Sequence, residues 1–381
     1  MTLSLKIVAL LLTCFTTFFW SITLFLRNQS TRNPGFYIAS LMVVIFLIIV
    51  SIFPFYVDQY SAYIKLEPIF LSGIVMIFPL IYFYVRSVTF RTPLSKKDGF
   101  HLLPALLILL TSIITMLKIP GDKRIPYIGM NEAWINSGLQ GIKVFLLAVL
   151  GRIIFFCQAI YYFLVSHRLI QEHRKRISDY FSDLNKYYFN WIRIWYLTYP
   201  GASIVGFILL LMGNTGLDML PQALFAAAFF ILSGVFYMIS YIAMHQRYIE
   251  NGEFYNQDTE PSAEISFMHI PAGLEAELQQ YFQNEKPYLD PDLKITDVAS
   301  RLKTNRTYIS YLIRTRIDTN FSGFVNSHRV EEAISMFGNP AYRNYTTKSI
   351  SEAAGFNNYN SFSKAFFKMK GMTPAYYRDK I

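Results

Sequence analysis

The stretch ITDVASRLKTNRTYISYLIRTR, residues 295–316, predicts two short helices joined by a tight turn. Its first half carries apolar residues at helical spacing, at Ile295, Val298, Ala299 and Leu302. Lys303 and Thr304 then supply the turn, and Asn305 is a favoured residue type for the N-cap of a second helix. The inner face of that helix is predicted at Tyr308, Ile309 and Leu312. Because the small Ala299 lets the two helices cross closely, the stretch is typical of a helix-turn-helix.

The same plan recurs in TTKSISEAAGFNNYNSFSKAFFKMKGMTPAYYR, residues 346–378. Ile350 and Ser351 are predicted inside its first helix, Gly355 gives the backbone freedom that a helix ending needs, and Asn357 is the predicted cap. The inner face of its second helix is predicted at Phe362, Ala365 and Phe366. A linking helix is predicted between the two units, over Phe321–Phe337. Two such units in one domain are far more specific than one.

Basic residues outnumber acidic residues in this part of the chain. From Arg301 to Ile381 there are thirteen Lys and Arg residues, among them Arg329, and five Asp and Glu residues, which gives a net charge of +8. Such an excess suits contacts with nucleic-acid phosphates, which supply affinity and register without selecting a sequence.

Sequence selection is expected from the outward residues of the second helix of each unit, which would enter the major groove of double-stranded DNA. In the first unit these residues are Arg306, Thr307, Ser310, Tyr311 and Arg314. In the second unit they are Asn358, Tyr359, Asn360, Ser363 and Lys364. Asn can pair with adenine and Arg with guanine through two hydrogen bonds, but each position could instead contact a phosphate or only solvent.

The first two thirds of the chain are strongly apolar. Hydrophobic residues make up 53% of the 381 residues and charged residues 16%, and a membrane-spanning helix needs about 20 mostly apolar residues. Seven spans are predicted, the first being a retained helix because no small-residue cleavage pattern accompanies it. They are Leu5–Leu26, Phe36–Tyr56, Ile69–Val88, His101–Leu117, Gly141–Val165, Trp191–Met212 and Pro221–Met244.

The distribution of Lys and Arg predicts the orientation of these spans. With the amino terminus outside the cell, twelve basic residues fall in the inside loops, where positive charge is favoured, and only four fall in the outside loops. The outside residues are Lys65, Lys118, Lys123 and Arg124. Seven spans then place the carboxyl terminus in the cytoplasm. The polar, basic segment 168–191 is interpreted as a cytoplasmic amphipathic connection between the fifth and sixth spans.

Arg152 lies near the middle of the fifth predicted span. A charge at that depth is costly, so it is a candidate for binding an anionic ligand. The alternative is that Arg152 bonds carbonyl or hydroxyl groups of the bundle, or extends its side chain toward the membrane surface.

Residues from about 274 to 381 resemble the DNA-binding domain of AraC-type (AraC/XylS family) regulators. The matching motifs are RVEEA at 329–333, GF at 355–356, SFSKAFFK at 361–368 and GMTPAYYR at 371–378. Two positions of the first unit depart from the family pattern, since Asp318 stands where a turn glycine is usual and Tyr311 where a basic residue is common. Asp tolerates the left-handed backbone conformation, so the fold is expected to hold, while the resemblance does not carry over which bases that helix selects.

The predicted fold is all-α, a seven-helix transmembrane bundle followed by a soluble all-α domain with two helix-turn-helix units. The predicted boundaries are 1–245 for the bundle, 246–270 for a linker and 271–381 for the DNA-binding domain. The combination resembles the membrane-bound AraC-type regulators of bacteria, in the cytoplasmic membrane, and implies DNA, the lipid bilayer and an unknown small-molecule or membrane signal as partners.

Other interpretations of the apolar bundle and of the whole chain stay open at this point. The bundle could serve only as an anchor, or the chain could be a transporter-like protein with an attached regulatory domain. The chain could also form a homodimer. No enzyme is predicted, because no phosphate-binding glycine loop, nucleophile elbow or metal-ligand spacing is present, and no metal or cofactor is expected.

Overall fold

The computed structural model describes residues 4–27, 30, 33–90, 95–118, 139–183, 199–201, 203–208, 211–212, 218–245 and 271–381. Over these residues the regular structure is helical, apart from one isolated β-bridge between Phe181 and Lys294, which confirms the all-α class. The chain forms two compact units. The first comprises Met1–Ile170 and Arg193–Tyr248, and the second comprises Gln171–Ile192 and Ile249–Ile381.

Long helices build the first unit. They are α1 (Leu5–Arg27), α2 (Pro34–Ile52), α3 (Tyr60–Phe90), α4 (Leu103–Lys118), α5 (Leu139–Tyr180) and α6 (Gln222–His245). Short 3-10 helices, Phe53–Val57 and Lys96–Leu102, follow α2 and precede α4. Helix α5 continues beyond Ile170, where the first unit ends, so its last turns belong to the second unit.

Six helices among the described residues are long and apolar enough to cross a membrane. They correspond to six of the seven predicted spans. About half of the remaining one, Trp191–Met212, falls outside the described residues, and the described half includes a shorter apolar helix, Tyr199–Ile208. The third helix starts at Tyr60 rather than near Ile69, so it also contains Glu67, an acidic residue that the predicted span omits.

Hydroxyl side chains line the contact between α1 and α6. The hydroxyl of Thr13 donates to the carbonyl oxygen of Phe229 at 3.1 Å, and the hydroxyls of Thr16 and Ser233 lie 2.8 Å apart. The opposite face of α1 is apolar and open, with Phe15 65% exposed. Small polar residues between helices and large apolar residues outside are typical of helices packed in lipid.

Shorter helices build the second unit. They are α7 (Leu274–Asn284), α8 (Ile295–Arg301), α9 (Arg306–Arg316), α10 (Phe321–Phe337), α11 (Thr347–Ala353), α12 (Tyr359–Lys370) and α13 (Pro374–Lys380). The bounds of α10 confirm those predicted for the linking helix. Asn305 is the N-cap of α9, as predicted, because its side chain accepts a hydrogen bond from the backbone N–H of Thr307.

Two apolar cores stabilise the second unit. The first core joins α7, α8, α9 and the start of α10 with three residues at the end of α5 that belong to this unit, Ile177, Tyr180 and Phe181. The second core joins the rest of α10 with α11 and α12, through residues such as Val330, Ile350 and Phe366. Helix α10 therefore contributes to both cores, as expected for the linking helix between two helix-turn-helix units.

Candidate nucleic-acid interface

Helix α9 presents the predicted reading residues of the first helix-turn-helix unit on its outer side. Ile309, Leu312 and Ile313 are fully buried and fix the inner side of the helix against the first core. The five predicted residues retain exposed surface, and the side chain of Arg314 is 50% exposed. The turn that precedes α9 contains Lys303 with φ +52°, and Asp318 after the helix has φ +54°. The left-handed conformation expected at Asp318 is therefore confirmed.

Helix α12 presents the predicted reading residues of the second helix-turn-helix unit on its outer side. Phe362 and Phe366 are buried on its inner side, whereas Asn360 and Lys364 are exposed and Ser363 and Tyr359 are partly exposed. Tyr359 also packs against the second core, with its ring centroid 6.0 Å from that of Phe362. We call α9 and α12 the reading helices.

The N-cap of α12 is Asn358, so the prediction of Asn357 as the cap is wrong. Because α12 begins at Tyr359, the cap must be the residue directly before it, and the side-chain oxygen of Asn358 accepts from the backbone N–H of Ser361 at 2.9 Å. Asn357 instead donates its side-chain N–H to the carbonyl oxygen of Pro291 at 3.3 Å. The carboxamide oxygen of Asn358 is thus already bonded within the protein, while Asn360 is exposed.

Gly355 lies where the two helix-turn-helix units meet. Its φ is +90°, a conformation that glycine adopts without strain, so the predicted backbone freedom is confirmed. A Cβ at this position would collide with the carbonyl oxygen of Tyr288 and would lie 2.9 Å from Cα of Leu289. This close approach fixes the second helix-turn-helix unit against the loop that follows α7.

Arg329, at the start of the RVEEA motif, is buried and only 1% exposed. Its Nε donates to the carbonyl oxygen of Tyr288 at 2.6 Å, and one Nη donates to the carbonyl oxygen of Asp290 at 2.7 Å and to the hydroxyl of Ser182 at 3.2 Å. Burial lowers the pKa of the guanidinium to about 10, where it is still charged at neutral pH. Arg329 therefore has a structural role and does not belong among the residues available to phosphates.

Other basic residues of the second unit are also held by the protein. Arg301 pairs with Glu285, and the guanidinium of Arg378 donates to backbone carbonyl oxygens, including that of Tyr345 at 2.6 Å. Lys364 and Lys368, by contrast, project from the exposed side of α12. The charge excess of the sequence is thus only partly available to a nucleic acid.

The segment at the end of α5 was missed as part of this unit by sequence reasoning. The sequence predicts residues 168–191 to be an amphipathic connection between two spans and assigns them no place in the DNA-binding domain, whereas Ile177, Tyr180 and Phe181 are buried in the first core. Three apolar residues at helical spacing were the available signal, but the basic run before them dominates the local pattern. This segment also reaches α9, since the carboxylate of Asp179 lies 2.6 Å from the guanidinium of Arg314.

Arg152 is part of α5 and is partly buried, and its predicted ligand-binding role stays a prediction. Within the described ranges no group of three or more His, Cys, Asp and Glu side chains is placed to hold a metal ion.

Residues 298–380 match the family model described as a helix-turn-helix domain. The chain is 30% identical over 91 residues to the uncharacterized HTH-type transcriptional regulator YtdP of Bacillus subtilis, an alignment that covers 24% of this chain and 11% of that protein. It is also 30% identical over 87 residues to the raffinose operon transcriptional regulatory protein RafR of Pediococcus pentosaceus, covering 23% of this chain and 30% of that protein.

The chain therefore matches less than a third of the length of either relative, and no solved structure matches it. The residues that match the family model all lie in the second compact unit, where both helix-turn-helix units lie. The carboxyl-terminal part of this chain is similar to the AraC-type helix-turn-helix domains of transcriptional regulators.

Proposed function

We propose that this protein is a membrane-embedded one-component transcription regulator. Its second unit binds promoter DNA in a sequence-specific way, and its first unit crosses the cytoplasmic membrane and senses a ligand or a state of the membrane. The domain boundaries proposed are 1–245 for the membrane part, apart from Gln171–Ile192, which belong to the second unit, 246–270 for the linker and 271–381 for the DNA-binding part, which lies in the cytoplasm.

The observation that carries the proposal is the rigid pairing of two reading helices. Both helices are packed on the linking helix α10, and the buried Arg329 and the close approach at Gly355 hold the two helix-turn-helix units together. Two recognition helices with a fixed spacing can enter successive major grooves on one side of a duplex, roughly 34 Å apart. A single helix-turn-helix unit would not offer this bipartite site.

The membrane part of the proposal is supported by the six long apolar helices and their exposed apolar faces. It also requires an even number of crossings between Asp183 and Leu274, because both residues lie in the same compact unit and so on the same side of the membrane. Helix α6 supplies one crossing, and the predicted span Trp191–Met212 is in the interval where the other is needed.

The test of DNA binding uses the full-length protein in lipid nanodiscs and a random pool of double-stranded DNA. We expect enrichment of a bipartite site. Asn360→Ala should relax selection at one base pair, costing about 1–3 kcal/mol there, whereas Lys364→Ala should weaken all sites and reduce the salt slope by about 0.9. Gln283→Ala, an exposed amide on α7, is the control and should change neither property. Failure to enrich any sequence would contradict the proposal.

A reporter experiment separates a sensing bundle from an anchor. Expression from the selected promoter is measured over a panel of candidate ligands, in cells with the full-length protein, with Arg152→Ala, and with the spans replaced by one unrelated transmembrane helix. A ligand response that survives the replacement would assign only anchoring to the bundle. Equal responses with and without Arg152 would remove that residue from the mechanism. A topology probe after Ile381 must report the cytoplasm.

A further inference from the structure

The last turns of α5 and the residues after them are an integral part of the first helix-turn-helix unit. We call residues 177–182 the α5 extension. Its apolar residues complete the first core, and its last residue, Ser182, is held through both of its backbone groups. The hydroxyl of Ser322 donates to the carbonyl oxygen of Ser182 at 2.9 Å, and the N–H of Ser182 donates to the carbonyl oxygen of Leu293 at 3.2 Å.

The α5 extension contacts two of the five residues that are predicted to read DNA from α9. The carboxylate of Asp179 accepts a hydrogen bond from the guanidinium of Arg314 at 2.6 Å, and the guanidinium of Arg306 lies 5.8 Å from the ring centroid of Tyr180. Arg306 and Arg314 are eight residues apart, which places them about 80° from each other around α9, and the extension contacts both. The extension thus occupies part of the face that would approach the duplex.

These contacts oppose DNA binding by charge as well as by position. A guanidinium that is paired with a carboxylate is less able to neutralise a phosphate, and the carboxylate itself would repel the backbone of the duplex. Counted from the N-cap, the equivalent positions of α12 are Tyr359 and Phe367, neither of which carries a charge. Helix α12 therefore has no guanidinium at these positions, and the charge of Asp179 opposes DNA binding by the first helix-turn-helix unit.

We propose that the α5 extension is an autoinhibitory element, in which Asp179 withholds Arg314 from DNA phosphate. The inference rests on the proposed function. Because α5 is one continuous helix from Leu139 to Tyr180, Asp179 and the candidate signal residue Arg152 lie on the same helix. A change in the bundle that reaches Asp179 along α5 would therefore release Arg314, and this links the bundle to DNA binding without a separate messenger segment.

The experiment measures DNA affinity of the full-length protein in nanodiscs over a range of salt concentrations. Asp179→Asn keeps the size of the side chain and removes its charge, so it should tighten binding by about 3- to 10-fold and steepen the slope of log affinity against log salt by about 0.9, which corresponds to one additional phosphate contact. Glu172→Gln is the matched control, since it removes the same charge from an exposed position of the same helix and should leave affinity unchanged.

A double variant and a measurement of folding complete the test. Arg314→Ala should abolish the gain produced by Asp179→Asn when the two are combined, because the released group is then absent. Hydrogen exchange at the backbone N–H of Leu312 must remain as slow in Asp179→Asn as in the parent, which shows that α9 is still folded.

The outcomes distinguish this inference from the proposed function. Tighter binding by Asp179→Asn, with the gain lost in the double variant, supports autoinhibition. Unchanged or weaker binding by Asp179→Asn, with clear binding by the parent, overturns autoinhibition alone and would mean that Asp179 orients Arg314 for DNA or has no part in binding. Absence of DNA binding by the parent and by every variant overturns the proposed function itself.

Discussion

Nε of Arg329 donates a 2.6 Å hydrogen bond to the carbonyl oxygen of Tyr288, the same oxygen that a side chain at position 355 would strike. The carbonyl oxygen of Tyr288 thus accepts a hydrogen bond from the linking helix and lies close to Gly355 of the second helix-turn-helix unit. The geometry between the reading helices depends on the contacts of this oxygen. Substitutions of Arg329 or Gly355 should therefore affect both helix-turn-helix units together.

Arg329→Met should destabilise the second unit by about 3 kcal/mol, because the carbonyl oxygens of Tyr288 and Asp290 lose a buried donor. Hydrogen exchange of α10 in the full-length protein measures the loss. Arg316→Met, at the exposed end of α9, is the control and should cost little. Equal effects of the two substitutions would show that the buried bonds contribute no net stability.

Gly355→Ala should cost more than Gly371→Ala. Both glycines have positive φ, +90° and +72°, and a Cβ costs roughly 1–2 kcal/mol in the left-handed region. Only at position 355 would the Cβ also collide with backbone, since no heavy atom lies within 4 Å of a Cβ built at 371. Thermal unfolding of the second unit measures the difference, and a larger loss from Gly371→Ala would contradict the packing at Gly355.

The stability of the first core should fall when the pH is lowered through the ordinary pKa of histidine. His328 packs against the rings of Phe282, Phe324 and Tyr288, and this burial lowers its pKa, although the nearby Glu331 partly opposes the shift. The unfolded chain then binds a proton more readily than the native protein, so stability is complete above the ordinary pKa and is lost below it.

The measurement compares unfolding of the full-length protein at about pH 7.5 and about pH 5.5, on either side of the ordinary histidine value. His328→Phe removes the titrating group while keeping a ring in the aromatic cluster, and it should reduce the loss at acid pH. An undiminished loss in His328→Phe would assign the pH dependence to other groups.

Asn358→Ala should weaken the start of α12, while Asn357→Ala should not. Removing an N-cap side chain costs about 1 kcal/mol, and the oxygen of Asn358 accepts from Ser361. Faster hydrogen exchange in the first turn of α12 reports the loss. If Asn357→Ala produced the larger effect, the cap observed here would be misassigned and the sequence prediction of Asn357 would stand.

Local sequence patterns predicted the helices of the second unit well. The linking helix has the predicted bounds, and the first turn and its cap at Asn305 lie where propensity and spacing place them. The cap of α12 was misplaced by one residue because Asn357 and Asn358 are adjacent and equally suitable by type. The structure decides between them, because α12 begins at Tyr359 and the side chain of Asn358 accepts from the N–H of Ser361, while Asn357 bonds the carbonyl oxygen of Pro291.

The same patterns could not reveal the burial of Arg329 or the place of residues 177–182. Counting charges treats every arginine as exposed, but Arg329 satisfies carbonyl oxygens about forty residues away in the chain. Likewise, Asp179 and Arg314 are separated by 135 residues, and no local periodicity encodes that they meet.

The sequence by itself determined that this chain has an apolar helical part and two helix-turn-helix units, because helix periodicity, capping and hydropathy act over a few neighbouring residues. The tertiary structure alone decided that the end of α5 belongs to the first helix-turn-helix core and that Asp179 faces Arg314. Those contacts arise when the folded backbone brings distant residues to one surface, and their energy depends on burial that has no local signature.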